Sequence, residues 1–180
     1  MKAYTLTISA IAIVSFLLSQ QALSLDALLK NTEEFWIKKR ERDILSAPIK
    51  NQEELENYLA ITPIENSPLN ALSEIERELF INSLVFTKRG LAGFDYSMLS
   101  YGPTATEVYN ILALFGSQST TPFLPGLTIA SESDSSIMAV EKIIQGDPLL
   151  LDSLCIWNTD IRQFFCGQYS LEICFPRICF

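Results

Sequence analysis

The chain has 180 residues, 48% of them hydrophobic, with no histidine and a formal net charge of −8. Without histidine, Ser-His-Asp and Cys-His catalysis and HExxH-type zinc sites are excluded. The acid excess repels nucleic acid and anionic lipid, so neither is an expected partner.

Lys2, an uncharged and largely apolar run over residues 6–18, and Ala22-Leu23-Ser24 read together as a signal peptide covering residues 1–24. A membrane anchor needs about 20 apolar residues; this run is shorter and ends in Ser19-Gln20-Gln21. The expectation is a secreted or periplasmic chain with no integral membrane segment after signal cleavage. No Asn-x-Ser/Thr glycosylation acceptor occurs. Taking Lys2 from the 13 basic residues leaves 12 against 21 acidic ones, or −9, over residues 25–180. That stretch has the size of a single domain, and its charge suits a basic partner protein.

Residues 25–45 read as a charged helix. Leu25, Leu28, Leu29, Trp36, Ile37, Ile44 and Leu45 mark an apolar stripe. Lys38-Lys39-Arg40 lie among Glu33, Glu34, Glu41 and Asp43, which predicts i,i+4 ion pairs on a solvated face rather than a nucleic-acid patch. Asn51 and Glu54 start a short helix through Ala60, with Leu55, Tyr58 and Leu59 inward and Thr62-Pro63 as its stop. Residues 61–71 form a Pro/Asn/Ser connector between packed helices.

Two helices with full end signals organise the middle of the chain. Ser73 with Glu76 and Thr104 with Glu107 are capping boxes, in which hydroxyl and carboxylate satisfy each other's backbone N–H. Gly90 and Gly116 supply the left-handed residue after each last turn. The first helix, residues 74–88, is expected to bury Ile75, Leu79, Phe80, Leu84 and Phe86, with Lys88-Arg89 facing its negative end. The second, residues 105–115, buries Val108, Ile111, Leu112 and Phe115. Between them, Phe94, Tyr96 and Met98 alternate with Asp95, Ser97 and Leu99, a pattern equally suited to a strand or one helical turn.

Residues 116–136 are rich in Ser, Thr, Pro and Gly and read as a hinge or a long loop anchored by Phe123, Leu124, Leu127 and Ile129. Ser135-Ser136 then open a helix carrying Ile137, Val140, Ile143 and Ile144. Asp147-Pro148 begin a further apolar segment reaching Trp157. The tail over residues 155–180 holds all four cysteines, Cys155, Cys166, Cys174 and Cys179. An even count in an exported chain predicts two disulfides. Gaps of ten, seven and four residues, with no histidine, argue against a metal site. The symmetry of Ile173-Cys174-Phe175 and Ile178-Cys179-Phe180 about Pro176-Arg177 favours Cys174–Cys179 with Cys155–Cys166, although proline suits hairpin turns poorly. Tyr169, Leu171 and Ile173 alternate as an extended piece. Repeated ten-residue alternating segments, which a membrane barrel needs, do not occur.

The fold expectation is therefore mainly α: a compact helical domain with a disulfide-stapled, partly extended C-terminal tail. No GxSxG, SxxK, Walker or GxGxxG motif occurs, and neither cofactor nor metal is expected. Asp95, Tyr96, Tyr101 and Tyr109 are the candidate binding residues, an aromatic and acidic set of the kind interfaces favour. The plainer account is that Phe94, Tyr96 and Met98 cap the core. The sequence favours an exported, small, acidic protein-binding protein of inhibitor or immunity type. The alternative is a secreted carboxylate-dependent hydrolase of cell-wall or other polysaccharide, using Asp95 and Glu107.

Overall fold

The computed structural model describes residues 34–35, 38–139 and 150–179. The signal peptide, the helix start before residue 34, the helix beyond Ala139 and the Asp147-Pro148 cap lie outside the described residues. The chain divides into a unit of residues 1–38 and a unit of residues 39–180, which carries the fold. In the first, the ammonium of Lys38 pairs with Glu34 at 2.7 Å. In the second, Lys39 pairs with Asp43 at 2.9 Å. Both are the expected i,i+4 spacing.

Among the described residues the helices are α1 (residues 38–46), α2 (Gln52–Ile61), α3 (Glu74–Ser83), α4 (Ala105–Ala113), α5 (Glu132–Ala139) and the short α6 (Pro176–Cys179). The described strands β1 (Val85–Thr87), β2 (Gly90–Asp95), β3 (Leu150–Asn158) and β4 (Gln163–Cys174) form a four-stranded antiparallel sheet in the order β1-β2-β4-β3, against which α3 and α6 pack. This corrects the mainly α expectation: the protein is mixed α and β.

The start signals of α2, α3 and α4 are met. Asn51 caps α2 by accepting from the N–H of Glu54, and both capping boxes close. The correction begins where α3 ends. Leu84 leaves helical geometry, and Val85-Phe86-Thr87, two β-branched residues around an aromatic one, pair with β2 instead of adding another turn. Lys88-Arg89 form the turn of that hairpin rather than the last turn of a helix. Gly90, at φ 120°, adopts a conformation that a side chain would strain. The connector contains both readings in succession: strand β2, then a 3₁₀ turn over Ser97–Leu99.

Four phenylalanines from separate stretches of the chain form the centre of the core. Phe80 of α3 meets Phe94 of β2 edge-on at 5.8 Å and Phe115 at 6.1 Å, and Phe94 meets Phe175 at 6.1 Å. All four are buried, with Ile111 and Leu112 of α4 and Ile173 of β4 around them. Ile75, Leu79 and Leu59, expected inside, are exposed.

The Ser/Thr/Pro-rich segment is packed rather than hinge-like. Its 3₁₀ turn over Gln118–Phe123 buries Thr120 and Thr121, whose hydroxyls donate to the carbonyls of Ser117 and Gln118. Of its expected anchors, Leu124 is buried and Ile129 exposed. Helix α5 starts earlier than Ser135. Asp134, 1% exposed, accepts from the N–H groups of Ala130, Ser131 and Thr106 and from the Ser131 hydroxyl. These bonds hold its carboxyl well below the usual carboxylate range. One side chain thereby joins the N-terminal ends of α4 and α5.

Candidate functional site

Strands β3 and β4 pair at Leu151↔Ile173 and resume at Ser153↔Gln168, leaving Asp152 opposite residues 169–172. The surplus makes β4 bulge. Asp152 (φ 53°) and Leu171 (φ 66°) both take left-handed backbone, which is costly for a leucine. The bulge is held through both backbone groups of Leu171. The N–H of Tyr96 donates to the carbonyl of Leu171 at 2.8 Å, and the N–H of Leu171 donates to Asp152 Oδ1 at 3.0 Å. The Tyr96 hydroxyl donates to the same Oδ1, also at 3.0 Å.

Tyr96 is buried. Loss of water, then its bond to Asp152, then the charges of Asp152 and Asp95 push its pKa up to about 12. It is a fixed proton donor. Asp95 ends β2 and accepts from the N–H of Ser97 at 2.7 Å, opening the 3₁₀ turn. Directly across the sheet lies Glu172, its register partner. Like charges so placed repel. Glu172 is half-buried and its Oε2 has no hydrogen-bond partner among the described residues. Burial first, and Asp95's negative charge second, raise its pKa to about 7. A carboxyl that exchanges its proton near neutrality, beside a second carboxylate, can serve as a general acid or base.

This arrangement makes a stability prediction. Glu172 binds its proton more tightly when folded, so its contribution is full below pH 4.5 and is lost as pH rises through about 7. The rise sets a ceiling of roughly 3 kcal/mol, which solvent screening at a half-exposed group reduces to about 1–2 kcal/mol. Glu172→Gln, which stays neutral, is expected to be more stable than the native chain at pH 8 by that amount. Denaturant titrations at pH 5 and pH 8 check it; equal pH dependence in both proteins contradicts it.

Of the residues singled out from sequence, Asp95 and Tyr96 meet at this bulge. Tyr101 is 83% exposed, its N–H bonded to the carbonyl of Gly126, and it lies within electrostatic reach of Tyr96. Tyr109 is half-buried on α4. Glu107 is occupied in its capping box, accepting from the N–H and hydroxyl of Thr104. It also lines an open cavity of about 420 Å³ with Pro48, Pro68, Asn110, Ala113 and Leu114. Asp152, Leu171 and Glu172 were not singled out from the sequence as site residues. Tyr169 and Leu171 share the alternation of Ile173, yet the bulge leaves them exposed while Ile173 is buried.

The cysteines form two disulfides, Cys155–Cys179 and Cys166–Cys174, with Cα separations of 5.7 and 5.8 Å. This replaces the pairing that the symmetry about Pro176 favoured. Pro176 opens a helical turn, not a hairpin, and the N–H groups of Ile178 and Cys179 both bond to the Phe175 carbonyl. That turn returns Cys179 to β3. No family model, curated protein or solved structure matches the chain. No helix among the described residues is long and apolar enough to cross a membrane.

Proposed function

We propose that the chain is an exported, acidic, protein-binding protein of inhibitor or immunity type whose contact surface is the β3–β4 ribbon. The observation that carries this reading is the apolar surface the ribbon leaves in water. Leu151, Trp157, Ile161, Tyr169 and Leu171 are all exposed, and the Trp157 ring lies 4.9 Å from that of Phe164. Exposed aromatic anchors on a stiff support are what binding hot spots use. Two disulfides stiffen the support, so little ordering entropy is lost on association. Strand β3 is an edge strand with no neighbour on its outer side among the described residues. Asp152, Asp160 and Glu172 outnumber Arg162 on the ribbon, which suits a basic partner.

The test is capture from the cell envelope and growth medium at low ionic strength, with native chain and the W157A/Y169A variant side by side. The native chain is expected to retain a partner released by salt. The variant is expected to bind it about 30-fold or more weakly, as loss of a hot spot implies, with an unchanged far-ultraviolet spectrum. Identical capture by both proteins overturns the ribbon as the contact surface.

A second reading rests on the carboxyl pair. A carboxylate-dependent hydrolase would use Glu172 as proton donor with Asp95 as its partner. Turnover of a polysaccharide abolished by Glu172→Gln and by Asp95→Asn supports it. Absence of turnover by the native chain removes it.

A further inference from the structure

We propose that the four cysteines, once reduced, form a buried tetrahedral thiolate site for one Zn²⁺ ion. The two disulfides lie against each other: the sulfurs of Cys155, Cys174 and Cys179 fall within 4.8 Å of one another, and all three residues are buried. Cys166, bonded to Cys174, supplies the fourth sulfur. A Zn–S distance of about 2.3 Å places thiolate sulfurs about 3.8 Å apart, so small side-chain movements suffice.

The ligands arrive in two pairs on rigid supports. Cys155 and Cys166 are register partners on facing strands of the ribbon. Cys174 and Cys179 bracket the β4–α6 corner with four residues between them, which is within the zinc-ligand range, whereas the gaps of ten and seven that count against a site in the sequence are closed by the fold. The present bonds run from one pair to the other, which brings three sulfurs together and leaves that of Cys166 one bond away from Cys174. Two equivalents of a dithiol, each oxidised to its own disulfide, cleave the two cystines and leave four thiols. Binding of one Zn²⁺ then releases four protons, so apparent affinity rises with pH. The metal takes over the cross-linking that the disulfides provide in the oxidised chain.

The full chain is reduced anaerobically with a phosphine, freed of reductant and titrated with Co²⁺ as a coloured substitute for Zn²⁺. The expected result is one equivalent bound, with thiolate-to-cobalt charge transfer and the intense visible bands of tetrahedral cobalt, both erased by one equivalent of Zn²⁺. The near-ultraviolet circular dichroism of the metal-bound chain is expected to match that of the oxidised one. Cys174→Ser should weaken binding by more than the roughly 10–100-fold that outer-shell changes cost. Cys166→Ser should shift the bands to those of a three-thiolate site. A pale octahedral spectrum, a stoichiometry other than one, or bands unmoved by either substitution overturns the proposal. So does cobalt binding without recovery of the near-ultraviolet signal, which would mark chelation by an unfolded chain.

Discussion

Replacing Phe80 by alanine is expected to lower the unfolding free energy by about 3–5 kcal/mol, the usual cost of deleting a buried ring. Small domains are stable by about 5–15 kcal/mol, so this is a large fraction of the total. The site is fully buried, and the ring meets Phe94 and Phe115 at interplanar angles of 76° and 70°, the edge-on geometry that adds about 0.5–1.5 kcal/mol per pair. Phe80 is also the buried residue of α3, since Ile75 and Leu79 on the same helix are 72% and 51% exposed. Its loss therefore opens a cavity between helix and sheet and loosens the docking of α3. Leu79→Ala is the control, expected to cost under about 1 kcal/mol as a partly exposed change. Urea titrations of the two variants check the contrast. Equal costs would mean that α3 is held by a stripe, as its sequence suggests, and not by one ring.

That contrast shows which parts of the fold were legible in the sequence. The starts of α2, α3 and α4 were, because an N-cap bond is closed within four residues and needs nothing from the rest of the chain. Ser73 with Glu76, Thr104 with Glu107 and Asn51 with Glu54 all did what their spacing implied. Helix ends and strand identity were not. Whether residues 85–87 continue α3 or turn into β1 is decided by β2, and β2 in turn is held by residues 172–174, nearly eighty positions further on. Gly93 bears on that pairing, since a Cβ there would lie 2.5 Å from the Ile173 carbonyl oxygen. The candidate site divides in the same way. Asp95 and Tyr96 stood out locally, whereas Asp152 and Glu172 join them only through a bulge, and no pattern in one strand reveals the register of two.

The disulfides give the second large effect, and its asymmetry is the informative part. Cys155–Cys179 closes a separation of 24 residues and Cys166–Cys174 one of 8. On the loop-entropy model the longer bridge stabilises by about 3.5 kcal/mol and the shorter by about 2.5 kcal/mol. The C155A/C179A double variant is therefore expected to be about 1 kcal/mol less stable than C166A/C174A. Contacts bear on the comparison too. With Cys155–Cys179 gone, α6 keeps the bond from the Thr87 hydroxyl to the Ile178 carbonyl at 2.9 Å and that from the Arg89 guanidinium to the Arg177 carbonyl at 3.1 Å. The exposed Arg89 bond adds little, so the corner then depends on Thr87, on the bond from the Phe175 N–H to the Ala92 carbonyl at 2.9 Å and on the buried Phe175 and Ile178 side chains. With Cys166–Cys174 gone, the eight register pairs of β3 and β4 still hold the ribbon. Guanidinium unfolding of the two double variants decides the order. If the ribbon variant is the weaker of the two, the chief work of the cystines is to shape the bulge at residues 169–172 rather than to close the longer loop, and the pH dependence assigned to Glu172 should disappear with that bridge.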